Sequence, residues 1–348
     1  MLHPHKIEGR IASNLEAAAV WSLISGEPEQ AFISTSLPFK KFKDTLTADQ
    51  QRARKRGHIR LLNCGLYTLD DDPGGYVMFN PAFDGDGRYG FYMEDIFVEK
   101  NAREHGIGSV IIRSLANKAL NEGAKFIKWE TDKRNTRMME WTENNFGAAR
   151  INEVNLDATP LLSSELSLPS GAENAYITRP ITLYDAGAIR NLGITTNEAA
   201  VKSEGGLPLV GFLTWEKEEA RAAVAVTFAT LNYSTFNTSW GINLEQMNHR
   251  SHLTDEQLFQ VVASTIKAVR RYEIPEGEFP AKKSSELDTQ IRHLRWHSNP
   301  ENRAHAVLTD QFNLSVRTMS EAIPPSTMVL YLMNQDAVQK TGLQYQPK

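Results

Sequence analysis

A chain of 348 residues, 41% hydrophobic and 23% charged, has the composition of an ordinary globular protein and the length for two cores. A formal net charge of −4 argues against a nucleic-acid partner. The single cysteine, Cys64, excludes an internal disulfide framework, and no apolar run approaches the ~20 residues that span a bilayer. The opening Met1 to Lys6 carries no signal-peptide core, so a cytoplasmic protein with no membrane partner is expected.

In chain order, residues 13–25 place apolar side chains at helical spacing, with Ser13 and Asn14 as caps. A second helical stretch runs from Phe39 to Lys55, and the basic cluster at Arg52 to Arg56 reads as its solvated end. Strand-like runs follow at 58–69, 75–79 and 90–98. Turn formers at 70–75 and 84–87 separate them, which predicts antiparallel hairpins. Cys64, in the run Leu61-Leu62-Asn63-Cys64, reads as a small buried hydrophobe rather than a nucleophile. A helix is expected over 107–120, a strand over 125–130 and a helix over 135–144.

Residues 156–174 lose periodicity and read as a linker or a terminal hairpin. The chain then restarts with a strand and capped helix over 176–192. Strand-like runs cover 209–215, 222–231 and 238–244, followed by a helix over 255–272, a strand over 291–296 and a helix over 302–311. This repeats the element order of the first half. Trp129 and Asn135 recur as Trp296 and Asn302 at one offset (296 − 129 = 302 − 135 = 167), which supports a duplication. Three parts are expected: a catalytic unit over 1–155, a linker over 156–174 and a second unit over 175–348.

The stretch Arg103-Glu104-His105-Gly106-Ile107-Gly108-Ser109 lies between a strand and a helix. A glycine turn feeding a helix N-terminus gathers backbone N–H groups at the positive end of the helix dipole, a setting suited to phosphate. Gly106 and Gly108 permit close backbone approach. A P-loop would need a lysine after the second glycine, and a dinucleotide fingerprint would need three glycines in a βαβ start; both are missing here. On spacing alone, a plain glycine turn is an equal reading.

Tyr92-Met93-Glu94-Asp95-Ile96-Phe97-Val98, then Arg103-x-x-Gly106-x-Gly108, then Asn135 to Gly147, resembles the GNAT superfamily of acyl-CoA N-acyltransferases, whose Arg/Gln-x-x-Gly-x-Gly/Ala signature is met in full. Within it, the segment over about 75–150 is similar to the diamine (spermidine/spermine) acetyltransferases, although Ile96 stands where they carry a second aromatic. The resemblance implies an α+β fold of two tandem GNAT-like domains, each a mixed, largely antiparallel sheet flanked by helices. It also implies that backbone groups at Ile96, Phe97 and Val98 pair with the pantetheine arm of acetyl-CoA. The N–H groups of Arg103, Glu104, His105, Gly106, Ile107, Gly108 and Ser109 would hold its pyrophosphate, and Asn135 would contact it at the next helix.

Glu94 matches the glutamate proposed as general base in the diamine enzymes; an ammonium must lose a proton before its nitrogen attacks a thioester. Since neighbouring strand residues face opposite ways, Glu94 is expected inward and Asp95 structural. The family's tyrosine acid falls on Thr142 or Glu143, neither of which is tyrosine. The second half is expected to be a degenerate copy. Residues 245–254, where the phosphate loop would fall, contain no glycine, Asn243 stands about where Glu94 would, and His249 and His252 lack the partners of a metal site.

The expected function is therefore transfer of an acetyl group from acetyl-CoA to a primary amine of a small molecule, polyamine or amino-acid-like, without a metal. The alternatives are a protein Lys or N-terminal acetyltransferase, or a non-catalytic acyl-CoA-binding module. A monomeric pseudo-dimer or a homodimer is expected.

Overall fold

The computed structural model describes residues 6–12, 17–25, 39–163, 175–194, 202, 206–218, 222–234, 239–275, 291–316 and 325–332. Its first half runs β1 (Ile7–Ile11), α1 (Ala17–Ser25), α2 (Phe39–Arg56), β2 (Asn63–Leu69), β3 (Asp72–Phe83), β4 (Tyr89–Val98), α3 (Ile107–Asn121), β5 (Phe126–Asp132), α4 (Thr136–Phe146) and β6 (Ala149–Ile151). There follow β7 (Val154–Asp157), α5 (Pro160–Ser163), β8 (Tyr176–Pro180), α6 (Ala186–Arg190), β9 (Gly211–Glu216), β10 (Ala223–Ser234) and β11 (Ser239–His249). The chain ends with α7 (Asp255–Arg270), β12 (Ile291–Ser298), α8 (Arg303–Ala306), β13 (Ser315–Val316) and β14 (Pro325–Tyr331).

Local chemistry explains most boundaries. The β2–β3 hairpin turns on Asp70 and Asp71, both left-handed (φ 52 and 74), as a two-residue loop matched to strand twist requires. The strand expected from residue 58 starts only at Asn63. The Asp49 carboxylate accepts the N–H groups of Leu61 (3.1 and 3.0 Å) and Leu62 (3.0 Å), which holds this segment against α2 rather than in the sheet. Arg52 corrects the reading of a solvated basic cluster: its side chain is buried, 3.2 Å from Asp49, and donates to the carbonyls of Ile59 and Gly206. The expected caps Ser13 and Asn14 lie outside the described residues.

Two seven-stranded sheets result, ordered β1-β2-β3-β4-β5-β14-β6 and β13-β7-β12-β11-β10-β9-β8. Each contains one strand from the other side of the chain. β7 leaves the first unit and pairs antiparallel with β12 (Trp296↔Leu156), while β14 returns near the C-terminus and lies antiparallel between β5 (Trp129↔Met328) and β6. The two tryptophans of the repeat thus occupy matching ladder positions. Of the stretch expected to be a linker, residues 156–163 carry the end of β7 and α5, and 164–174 lie outside the described residues. One continuous apolar cluster runs through both halves. It is reinforced where β3 meets β10, with Phe83 and Phe228 ring centroids 6.1 Å apart and Thr230 Oγ1 accepting from Phe83 N at 3.3 Å.

Candidate active site

The first sheet forks between β4 and β5. Among the described residues these parallel strands pair at Phe91↔Ile127 and Tyr92↔Lys128 only, whereas β4 stays zipped to β3 as far as Gly75↔Val98. The edge of β4 from Met93 to Val98 that faces the fork therefore carries no ladder. Ile96 and Val98 have their backbone groups on this edge, and Phe97 between them turns its own to β3. Phe97 packs on Tyr76 (ring centroids 5.8 Å apart), and Arg103 Nε donates to Val98 O at 3.0 Å.

Beyond β4, residues Lys100–His105 form a 3-10 turn that is capped by Glu99, whose carboxylate accepts from Asn101 N at 2.7 Å. Gly106 follows at φ 84, and α3 begins at Ile107 with no side-chain cap and no acid in its first turn. The first N–H groups of α3 are thus left for an anion, with the helix dipole behind them. Arg103, Glu104, His105 and Gly106 are exposed, and Gly108 and Ser109 half-buried. Ile107 is buried against Gly74 and Gly75 and anchors the loop; at Gly75 a Cβ would stand 2.7 Å from Phe97 O. Around Gly106, by contrast, nothing lies within 4 Å of where a Cβ would be, so its backbone conformation rather than space demands glycine.

From α4, Trp141 leans over Gly108, 3.4 Å from the position of its missing Cβ. Asn135 caps α4, its Oδ1 accepting from Met138 N at 3.3 Å. Thr142 and Glu143, the positions expected in place of a tyrosine acid, are engaged elsewhere. Thr142 is buried and donates to the Met138 and Met139 carbonyls (3.0 and 2.9 Å), and Glu143 pairs with Arg150 at 2.6 Å.

A β-bulge changes what Glu94 and Asp95 can do. The register jumps from Met78↔Asp95 to Phe79↔Met93, leaving Glu94 as an extra residue. Met93 and Ile96 pair with Phe79 and Val77, which line a cavity beside α3 with Leu115. Glu94 and Asp95, between them, both turn to the opposite face, contrary to the expectation from strict alternation. Asp95 accepts from Tyr76 Oη at 2.6 Å; burial, then the neighbouring Glu94 charge, push its carboxyl up to about 6 against the Tyr76 hydrogen bond. Cys64, nearby, is buried and its thiol is pushed up by burial, which makes it inert as a nucleophile.

On this face the two sheets meet. Glu94, its side chain 3% exposed, faces Arg295 of β12 (6%), whose Nη1 and Nη2 both lie 3.4 Å from Oε1. Oε2 of Glu94 is buried without a partner. A second bridge runs the other way: Lys128 of β5 donates to Glu245 of β11 at 2.5 Å, and also to Glu153 at 3.1 Å. His297 completes that cluster, its Nδ1 2.8 Å from Lys128 Nζ and 3.0 Å from Glu153. Burial and the Lys128 charge oppose protonation of His297, but the two carboxylates outweigh them and hold it at about 9. Burial likewise opposes charge on Glu153, yet Lys128 and His297 hold it down at about 2. Glu153, Glu245 and His297 are the one group among the described residues arranged to ligate a metal ion, and the Lys128 ammonium sits among them.

The second half differs where an anion would bind. β11 extends through His249, so 245–249, expected as loop, is strand, and its bulge lies between Leu244 and Met247. Asn243 pairs with Arg295 as Tyr92 pairs with Lys128, which makes Glu245, not Asn243, the counterpart of Glu94. Thr254 and Gln257 close a capping box on α7, and Asp255 and Glu256 fill its first turn with negative charge. Such a terminus is both satisfied and repulsive to phosphate. Of the two histidines considered there, the His249 ring lies against the Arg250 carbonyl at 3.1 Å. Arg295 and Lys128 escaped sequence reasoning, although each stands directly before a tryptophan of the repeat.

Residues 31–148 match the model of the acetyltransferase (GNAT) family. No protein of curated function matches the chain. Among solved structures, a GCN5-related N-acetyltransferase from Sphaerobacter thermophilus is 12% identical with a TM-score of 0.50, covering 94% of this chain and 96% of that one. A tandem GNAT protein from the clavulanic acid biosynthesis pathway is 10% identical (TM-score 0.49; 95% and 100% covered), and a GCN5-related N-acetyltransferase from Kribbella flavida 12% identical (0.42; 94% and 71%). No helix among the described residues is long and apolar enough to cross a membrane. The chain is an α+β protein of two tandem GNAT-like sheets, and its first half carries the match to the acetyltransferase family.

Proposed function

We propose that the protein is an acetyl-CoA-dependent N-acetyltransferase acting on a primary amine of a small molecule, polyamine or amino-acid-like, in the fork of its first sheet. The observation that carries this reading is an open β4 edge followed directly in the chain by an uncapped, acid-free α3 terminus. Backbone groups from Ile96 to Val98 would take the pantetheine arm, and those from Arg103 to Ser109 the pyrophosphate. The coenzyme supplies the acetyl thioester. Glu94, at the apex of the fork, accepts the proton that the substrate ammonium must lose, through its unpartnered Oε2. Thr142 and Glu143 are otherwise engaged, so the CoA thiolate leaves without a side-chain acid from α4. The second half is a built-in partner, which makes the chain a pseudo-dimer.

Calorimetric titration with acetyl-CoA, followed by assay of CoA release with a panel of amines, tests the proposal. One coenzyme site per chain and amine-dependent CoA release are expected. Tight binding with no release across polyamines, amino acids and peptides would identify a binding module instead, and release with peptides alone a protein acetyltransferase.

A further inference from the structure

We infer that Arg295, carried by the second half, is a positioning residue of the first half's site: it holds one oxygen of Glu94 and leaves the other unpaired, for the acceptor amine. This rests on the acetyl-transfer reading above. The argument comes from comparing two bridges that duplication made equivalent and that are no longer alike.

In the retired half the glutamate is locked. Glu245 Oε2 lies 2.5 Å from Lys128 Nζ and its Oε1 3.5 Å from His297 Nδ1, and Glu153 closes the cluster from the side. In the first half the corresponding glutamate is held at one oxygen only, at 3.4 Å, and its Oε2 is buried with no partner. The ladders show why. Trp129↔Met328 matches Trp296↔Leu156, so Glu153, three residues before Leu156, corresponds to Pro325, and His297 corresponds to Glu130. A proline has no side-chain acceptor for Arg295, and a glutamate in place of His297 cannot donate to Glu94. The groups that lock Glu245 are missing around Glu94 for reasons written into the sequence.

A guanidinium suits this task. Its planar fork fixes a carboxylate oxygen through two N–H groups and stays charged when buried, whereas an ammonium gives one point contact. A buried carboxylate oxygen without a donor is costly, and an incoming ammonium is the group that relieves it. Arg295 therefore makes the second half part of the active site, rather than only a partner surface.

The test uses the full chain and the variants Arg295→Gln, Arg295→Lys and Glu245→Gln, each assayed for acetyl-CoA affinity, kcat and amine KM. Arg295→Gln is expected to lower kcat by about tenfold or more, as expected when a reacting group loses its alignment, with acetyl-CoA affinity within about twofold of wild type. Arg295→Lys should recover part of that loss. Glu245→Gln, which weakens the mirror bridge without touching Glu94, should lower the melting temperature while leaving kcat near wild type. A folded Arg295→Gln protein with wild-type kcat and amine KM overturns the inference, as does an equal loss of kcat in Glu245→Gln. If Arg295→Gln does not fold, an Arg295→Lys protein of unaltered kcat overturns it. Wild-type protein that binds acetyl-CoA but transfers to no amine removes the acetyl-transfer reading and this inference together; an active wild type with an indifferent Arg295 removes this inference alone.

Discussion

Lys128 and Arg295 occupy the same place in the two halves: each stands one residue before a buried tryptophan in the strand beside the fork, and each reaches to the bulge glutamate of the opposite sheet. The pairing is reciprocal, as at the two-fold interface of a homodimer. Together with the exchange of β7 and β14, it interlocks the two sheets.

The exchange predicts that the first half does not fold alone. β14 supplies a seven-residue ladder to β5 and holds β6 to the sheet; without it the edge of β5 is open and β6 has no strand partner among the described residues of its sheet. A fragment of residues 1–157 is expected to aggregate or to melt without cooperativity, and the same fragment with residues 325–332 fused behind it should recover a cooperative transition. Circular dichroism melting and gel filtration check this. A monomeric, cooperatively melting 1–157 fragment would mean the borrowed strand is dispensable.

At Gly106 the prediction separates conformation from space. Its φ of 84 costs a residue with a Cβ about 1 kcal/mol, and a β-branched one more, although nothing stands near the side chain. Gly106→Val should therefore lower acetyl-CoA affinity by at least about tenfold by turning the α3 N–H groups away, and leave the bulk melting temperature within a few degrees. Unchanged affinity by calorimetry would remove this loop from the coenzyme site.

The first-half reading succeeded where chemistry is local. The turn at Asp70 and Asp71, the glycine loop and the amphipathic α3 announce themselves within a dozen residues, and they stand where expected. What escaped is what depends on distant pairing. β7 and β14 are four and seven residues long, and nothing in Val154–Asp157 or Pro325–Tyr331 names the sheet it joins. The bulge at Glu94 was hidden for a related reason: one extra residue resets which side chains share a face, and a single strand's sequence does not display its partner's register. Arg295 was legible in principle, since a basic residue precedes the tryptophan in both repeats, at the shared offset of 167 (295 − 128).

The Lys128 cluster makes stability depend on pH in a defined window. His297 is held at about 9, against about 6.5 in an unfolded chain. A raised pKa gives stability that is fully present below pH about 6.5 and lost as pH rises through about 9, a change on the order of 3 kcal/mol. Glu153, held down at about 2, contributes stability present above pH about 4.5 and lost as pH falls through 2. Denaturant unfolding should thus show a plateau between about pH 4.5 and 6.5. His297→Asn should be less stable on that plateau and lose the decline toward pH 9; a persistent alkaline decline in that variant would assign it to another group.

Trp141 offers a direct optical check on where the coenzyme enters. Its ring lies half-buried between the start of α3 and the body of α4, edge-on to Phe146 with centroids 5.1 Å apart, and close to Gly108. A guest seated on the α3 N-terminus must share that gap. Among the other tryptophans whose side chains are described, Trp129, Trp240 and Trp296 are buried, and Trp215 is covered by Arg179, whose guanidinium carbon lies 4.5 Å from the ring centroid. Acetyl-CoA should therefore change the intrinsic fluorescence mainly through Trp141. Trp141→Phe is expected to keep the fold, because an aromatic remains against Phe146, and to remove most of the signal while calorimetry still reports binding. If the fluorescence change persists in that variant at full size, the coenzyme lies away from α4. The fork would then have to be read as a structural opening and not as the acyl-transfer cleft.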